Sequence, residues 1–301
     1  MIVIAAPGQG AQTPGFLEPW LDVPAVADRL TWWSAVTGLD LVRYGTTADA
    51  EEIRDTAVAQ PLLVAAALAA AVELDTPGVA AGHSVGELAA AVIAGVLTPE
   101  AALVFVRERG RAMAEAAAVT ETGMTAVLGG DPDEVRAAIE RHGLTAANVN
   151  GAGQVVAAGT LAGLAALAEE PPERARLRPL SVAGAFHTAH MAPAVDRLAA
   201  LAAGMPVADP ATRLLSNRDG AVVTSGADYV ERLVRQVSSP VRWDACMATM
   251  RELGVTAIIE LPPAGTLVGL ARRELKGVAT LALKTPADLD AARELIKAHT
   301  S

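Results

Sequence analysis

The sequence predicts an α/β protein in which a large parallel-sheet domain carries a small inserted domain, and three observations lead to that fold class. Short apolar runs alternate with helix-length segments near both ends of the chain, the rhythm of strand–helix–strand units. Between about residues 122 and 184 the rhythm changes to β-α-β-β-α-β, the order of the ferredoxin-like motif. Third, Gly82-His83-Ser84-Val85-Gly86 stands between an apolar triplet and a helical run, where such a sheet makes its sharpest turn.

Taken in order, Ile2 to Ala6 reads as a buried strand, and Pro7-Gly8-Gln9-Gly10-Ala11-Gln12 punctuates it into a loop. Gln60-Pro61 is expected to open a helix, since proline at the first position loses no hydrogen bond. Leu62 to Val72 within it is an apolar stretch too short to span a membrane, and Glu73 follows it. Val79 to Ala81 is a short strand feeding the Ser84 turn, and Glu87 to Ala94 is a helix that Gly95 ends. Thr98-Pro99-Glu100 caps the next helix, to about Ala118. The inserted domain then reads as strand Met124 to Leu128, helix Asp133 to Arg141, and strands Ala146 to Asn150 and Gln154 to Ala158 about a Gly151-Ala152-Gly153 turn. Helix Leu161 to Glu169 and strand Leu177 to Val182 complete it. Strands at Ala257 to Leu261 and Ala279 to Leu283 return to the parallel sheet.

Composition narrows the function. Hydrophobic residues make up 52 % of the chain, but alanine supplies most of the excess, so the expectation is a soluble, cytoplasmic protein with no membrane association. One cysteine, Cys246, permits neither an internal disulfide nor a Cys/His metal cluster, and no metal site is expected. A net charge of −10 argues against a nucleic-acid binder, because a phosphate backbone would be repelled.

Gly-x-Ser-x-Gly between strand and helix is the pattern of a nucleophile elbow, which exposes the serine on a turn that only flanking glycines allow. Five letters alone are a weak signal; the strand before them and the helix after raise it. Ser84 needs a base to take its proton. Of five histidines, His299 is in the tail, His142 ends a helix, and His83 should point away from its neighbour, to pack beneath the elbow. His187 and His190 remain, in a loop of small residues after the inserted domain. The only aspartates between Ser84 and that loop, Asp131 and Asp133, look like helix-entry residues, so no triad acid is evident. Arg109 shares a helix face with Ala102, Val106, Met113 and Ala116. A guanidinium on an apolar stripe requires an anion, either an internal carboxylate or that of a substrate. The Gly8-Gln9-Gly10 loop lacks the third glycine of a dinucleotide fingerprint and suits an oxyanion instead.

With these residues collected, the chain resembles the malonyl-CoA:acyl carrier protein transacylases of fatty-acid and polyketide synthesis and the acyltransferase domains of polyketide synthases. The motifs that carry the resemblance span nearly the whole chain: Pro7 to Gln12, Gln60-Pro61, Gly82 to Glu87, Arg109-Gly110-Arg111-Ala112-Met113, Asn148-Val149-Asn150, Ala185-Phe186-His187 and Ser239-Pro240-Val241-Arg242-Trp243. Leu261-Pro262-Pro263-Ala264-Gly265 departs from the Gly-Pro-Gly of many relatives, which puts the local backbone path in question.

The resemblance implies an α/β-hydrolase-like large domain over residues 1–121 and 185–301 and a ferredoxin-like small domain over residues 122–184. It implies Ser84 as nucleophile, His187 as general base and then acid, and the backbone carbonyl of Gln236 as the group that orients His187. Backbone N–H groups of Gln9 and Val85 would form the oxyanion hole, and Arg109 would hold the substrate carboxylate. Phe186 and Val85 would favour malonyl over methylmalonyl groups. Malonyl-CoA and the phosphopantetheine of an acyl carrier protein would be substrates in a ping-pong route, with no bound cofactor and with the chain acting as a monomer. Arg272, Arg273 and Lys276, or Arg174, Arg176 and Arg178, would offer an acidic carrier protein a basic surface. His190 receives no role. Two other readings stay open: a serine thioesterase or esterase on the same fold, against which stand the missing acid and Arg109, and a non-catalytic carrier-binding scaffold, against which stands the Ser84/His187 pair.

Overall fold

A computed structural model describes residues 1–74, 78–182 and 184–299. Strand β1 (Ile2–Ala6) is buried along its whole length, and its alternating side chains enter two different cores, Ile2 and Ile4 on one face and Val3 and Ala5 on the other. Helix α1 (Pro24–Thr37) starts on a proline and stops at Gly38, and α2 (Leu41–Thr46) is capped by Asp40. Helix α3 (Thr56–Ala71) begins earlier than the sequence suggested. Asp55 caps it by accepting the Ala57 N–H at 2.8 Å, which places Pro61 inside the helix. Proline there cannot donate to the carbonyl four residues back, that of Ala57, and Arg107 Nη1 donates to that oxygen instead at 3.1 Å.

Strand β2 (Val79–Gly82) leads into α4 (Gly86–Ile93), and Thr98 caps α5 (Pro99–Ala117). The small unit follows as β3 (Thr122–Gly129), α6 (Pro132–Arg141), β4 (Thr145–Gly151), β5 (Gln154–Thr160), α7 (Leu161–Glu169) and β6 (Ala175–Pro179). Strand β6 lies earlier than Leu177 to Val182: its ladder to β3 runs from Ala175 to Pro179, with the Leu180 N–H still donating to the Met124 carbonyl at 2.9 Å just beyond it. The chain then forms α8 (Ala192–Ala202), β7 (Arg213–Leu215), β8 (Val222–Val223), α9 (Gly226–Gln236), β9 (Val241–Arg242), α10 (Trp243–Glu252), β10 (Ala257–Glu260), α11 (Thr266–Glu274), β11 (Ala279–Ala282) and α12 (Leu289–His299).

The first sheet has the order β11-β10-β1-β2-β7-β8 and is parallel except between β7 and β8. One face carries the alanine-rich core of α3, α4 and α5; the other packs on α10 and α11. The second sheet has the order β6-β3-β5-β4-β9. Its first four strands pair antiparallel, as the ferredoxin-like order requires, and the fifth, β9, comes from the far side of the chain and lies parallel to β4. The departure at Leu261 to Gly265 is a turn whose Gly265 N–H, with those of Leu267 and Val268, is received by the Glu260 carboxylate at 2.8–3.0 Å. Among the described residues no helix is long and apolar enough to cross a membrane.

Candidate active site

Strands β1 and β2 are neighbours, so the loops at their C-terminal ends, Pro7 to Gln12 and Gly82 to Gly86, meet above the sheet. The second loop turns too tightly for side chains at its ends. A Cβ on Gly82 would collide with the Gly86 carbonyl, and one on Gly86 with the Ala6 carbonyl. Ser84 between them takes the left-handed conformation, φ 52°. Its Oγ lies 2.7 Å from His187 Nε2.

His187 is itself at φ 61°, in a loop fixed by its own N–H on the Val237 carbonyl at 2.9 Å and by the Ala185 N–H on Thr122 Oγ1 at 2.9 Å. His187 Nδ1 donates to the backbone carbonyl of Gln236 at 2.8 Å, which leaves Nε2 as the acceptor for the serine proton. No carboxylate touches the ring among the described residues. Burial, and after it the charge of Arg109, lowers the His187 pKa to about 3, so the imidazole is a neutral base at physiological pH.

A cavity of about 240 Å³ opens at this pair, walled by Gln9, Gln60, Val85, Met113 and Phe186 among others. The N–H groups of Gln9 and Val85 have no acceptor among the described residues, whereas the Gln9 side chain is held by Thr56 Oγ1 at 3.4 Å and the Arg54 carbonyl at 3.3 Å. Arg109 is buried and is not itself part of the wall. Its Nη1 donates to Gln60 Oε1 at 2.6 Å and its Nη2 to Gln236 Oε1 at 2.7 Å. Gln60 is thus the wall residue in front of the guanidinium. The expectation of an anion near Arg109 is met only at a distance: both acceptors are neutral amides, and the nearby Glu87 carboxyl makes no ion pair with it. Burial pushes Glu87 up to about 8, against the Asn217 N–H, the Gln236 amide and the Arg109 charge, which all favour its anion.

His83 turns away from Ser84. Its Nε2 is 2.8 Å from Asn150 Oδ1 on β4, and its ring meets Trp243 edge-on with centroids 5.7 Å apart. His190 sits on a short turn outside the cavity wall. Neither candidate basic group lines the cavity, but neighbours of each along the chain do. Leu267 and Leu270 of α11, which carries Arg272 and Arg273, line it, and so do Leu180 and Val182 just after the exposed Arg174, Arg176 and Arg178. Sequence reasoning missed Asn217, which receives the Ser84 N–H at 2.7 Å. No local pattern marks it, because it reaches the elbow only through the pairing of β7 with β2. A larger hollow of about 610 Å³ beside Glu51, Glu52 and Asp55 holds no nucleophile–base pair.

Residues 6–293 match the model of the family described as the acyl transferase domain. The chain is 56 % identical, over 297 residues, to the malonyl CoA-acyl carrier protein transacylase of Mycobacterium tuberculosis strain H37Rv, covering 96 % of this chain and 98 % of that protein. It superposes on the crystal structure of MCAT from Mycobacterium tuberculosis with a TM-score of 0.94 at 55 % identity, covering 97 % of this chain and 99 % of the other. A malonyl-transacylase solved in complex with a type II PKS acyl-carrier protein matches with a TM-score of 0.90 at 32 % identity, covering 98 % and 99 %.

Proposed function

The chain belongs to the acyl transferase domain family, and from that premise we propose that it carries a malonyl group from malonyl-CoA to the phosphopantetheine thiol of an acyl carrier protein by way of an ester on Ser84. The observation that carries this reading is a neutral, carbonyl-oriented His187 within 2.7 Å of Ser84 Oγ, beside a buried guanidinium whose direct partners are uncharged. The first is an acyl-transfer pair; the second gives a carboxylate-bearing acyl group a reason to bind.

In the first half-reaction Ser84 Oγ attacks the thioester carbonyl while its proton passes to His187 Nε2. The oxyanion that forms is received by the N–H groups of Gln9 and Val85. Collapse breaks the carbon–sulfur bond, and CoA leaves as its thiol with the proton from His187. In the second half the carrier's pantetheine thiol gives its proton to the same nitrogen and attacks the ester, and Ser84 recovers its proton as the malonyl thioester departs. The steps are carried by the Ser84 and His187 side chains and by backbone N–H groups acting on the thioesters. Arg109, acting with Gln60 in front of it, holds the distal carboxylate, and Phe186 crowds the position of an α-methyl branch. Docking of the carrier falls to the arginines flanking the cavity, on α11 or beside β6. A lone, buried Cys246 suits the reducing cytoplasm in which we place the reaction.

Intact-mass analysis tests the assignment. Malonyl-CoA should leave a malonyl adduct on the protein, absent from Ser84→Ala, that a holo carrier protein discharges faster than water does. Release of free malonate with no carrier product would overturn transfer in favour of hydrolysis.

A further inference from the structure

Behind the Ser84 elbow lies a buried polar cluster in which the transfer route gives the side chains of Asn217, Glu87 and Gln236 no step. Asn217 is wholly buried, and its side-chain amide bridges two strands of the turn: Oδ1 accepts the Ser84 N–H at 2.7 Å and Nδ2 donates to the Gly82 carbonyl at 2.7 Å. Its orientation is forced, since exchanging the amide ends would set donor against donor and acceptor against acceptor. The Gln236 side chain holds the other side of the same residue, with Nε2 donating to the Ser84 carbonyl at 3.1 Å. Both backbone groups of Ser84 are therefore gripped by side chains, at a residue whose φ of 52° a Cβ disfavours.

Glu87 stands behind both amides. Its Oε1 accepts the Asn217 backbone N–H at 2.6 Å, and its Oε2 accepts from Gln236 Nε2. Arg109 Nη2 completes the set on Gln236 Oε1. Peptide planarity gives this grip its consequence. The Ser84 carbonyl and the Val85 N–H belong to one peptide plane, so fixing that oxygen also aims the N–H that faces the developing oxyanion. Likewise, fixing the Ser84 N–H through Asn217 fixes the turn that sends Oγ to His187 Nε2.

We infer that Asn217, buttressed by Glu87, is a positioning residue for acyl transfer: it holds Ser84 in the left-handed turn that points Oγ at the base and Val85 N–H at the oxyanion, and it touches no substrate. The inference rests on the reading of Ser84 as the nucleophile. Without the amide, the Ser84 N–H and the Gly82 carbonyl lose their partners and the turn relaxes toward the right-handed region.

The test compares wild type with Asn217→Ala and Asn217→Asp. The measurements are kcat and KM for malonyl-CoA, the rate at which phenylmethanesulfonyl fluoride modifies Ser84, and melting by circular dichroism. Expected is a loss of about 10- to 100-fold in kcat, the effect of displacing a reacting group by a fraction of an ångström, with KM unchanged and sulfonylation slowed in parallel. If Asn217→Ala fails to fold, Asn217→Asp gives the same readouts, since it keeps the shape and the acceptor for Ser84 N–H but replaces the amide donor to Gly82 by a carboxyl that donates only when protonated. Wild-type kcat and sulfonylation in a folded variant, or a change confined to KM, would overturn the inference. Sulfonylation needs neither malonyl-CoA nor carrier, so a wild-type protein that failed to transfer malonyl groups would refute the transfer reading and still report on the elbow.

Discussion

Replacing Arg109 by glutamine removes the charge that the proposed carboxylate recognition needs while leaving a polar side chain among the amides of Gln60 and Gln236. The loss can be worked from the environment. Arg109 is 1 % exposed, so a carboxylate reaching it is also withdrawn from water. Losing one partner of a buried, hydrogen-bonded charge pair costs about 3–4 kcal/mol. At 1.36 kcal/mol per decade this is a fall of about 10²- to 10³-fold in kcat/KM for malonyl-CoA. The scaffold should tolerate the change better than a broken ion pair would. The carboxyl nearest to Arg109, Glu87, already has its pKa pushed up to about 8, so removing the cation leaves no bare anion behind. Acetyl-CoA lacks the carboxylate and serves as the internal control. The assay is kcat/KM for both thioesters against one holo carrier protein, in wild type and Arg109→Gln. The malonyl-to-acetyl preference should collapse by the whole of the loss, with acetyl transfer little changed. If the variant folds and keeps its preference for malonyl-CoA, the carboxylate is recognised elsewhere and the role given to Arg109 is wrong.

Four further outcomes follow from the same geometry. Phe186→Ser should open the cavity wall to an α-methyl branch and raise kcat/KM for methylmalonyl-CoA about tenfold relative to malonyl-CoA, the scale of one methyl group in a tight pocket; an unchanged ratio would place the methyl discrimination elsewhere. His187 has a folded-state pKa lowered to about 3, below its ordinary 6.5, so it stays neutral as the medium is acidified through that ordinary value. The rate of Ser84 sulfonylation should accordingly be level between about pH 5 and 7.5, and an acid limb centred near 6.5 would show an ordinary, solvated imidazole. The same shift means that the unfolded chain takes up a proton the folded one refuses, so His187 contributes a loss of stability as pH falls from 6.5 toward 3, checked by the Tm of wild type against His187→Gln. Charge reversal of Arg272 and Arg273 should raise KM for the carrier protein while sparing acylation of Ser84 by malonyl-CoA; an unaltered carrier KM would move the docking surface to the arginines beside β6.

The parts of this molecule that were legible in its sequence are those whose signal is local. Strands β1 and β2 announce themselves as apolar runs cut off by glycine, and Ser84 by the glycines a sharp turn needs. Elimination among the histidines reaches only the pair His187 and His190, and the choice of His187 between them rests on family likeness. Pro61 reads as the start of a helix, yet α3 begins at Thr56, because an arginine from another helix makes an interior proline tolerable. Gln236 could be named only through family likeness, since a backbone carbonyl leaves no mark on the residue type that bears it. Asn217 and β9 were out of reach for a related reason. A two-residue strand has no period, and an asparagine that supports a serine 133 positions away does so only after the sheet has formed.

That two-residue strand limits how the small domain could be exchanged between relatives. Val241 and Arg242 pair with Asn148 and Val149, and they lie only a few residues beyond the Gln236 carbonyl that orients His187. A chimera cut at residues 122 and 184 would import a four-stranded piece and ask it to dock on a seam belonging to the recipient. Any mismatch of register there would be felt at the imidazole rather than at the splice points. A graft that also carries the stretch from 238 to 243 keeps the seam intact, and comparing the two grafts for Ser84 reactivity would measure how far a roof can be replaced before the chemistry beneath it shifts.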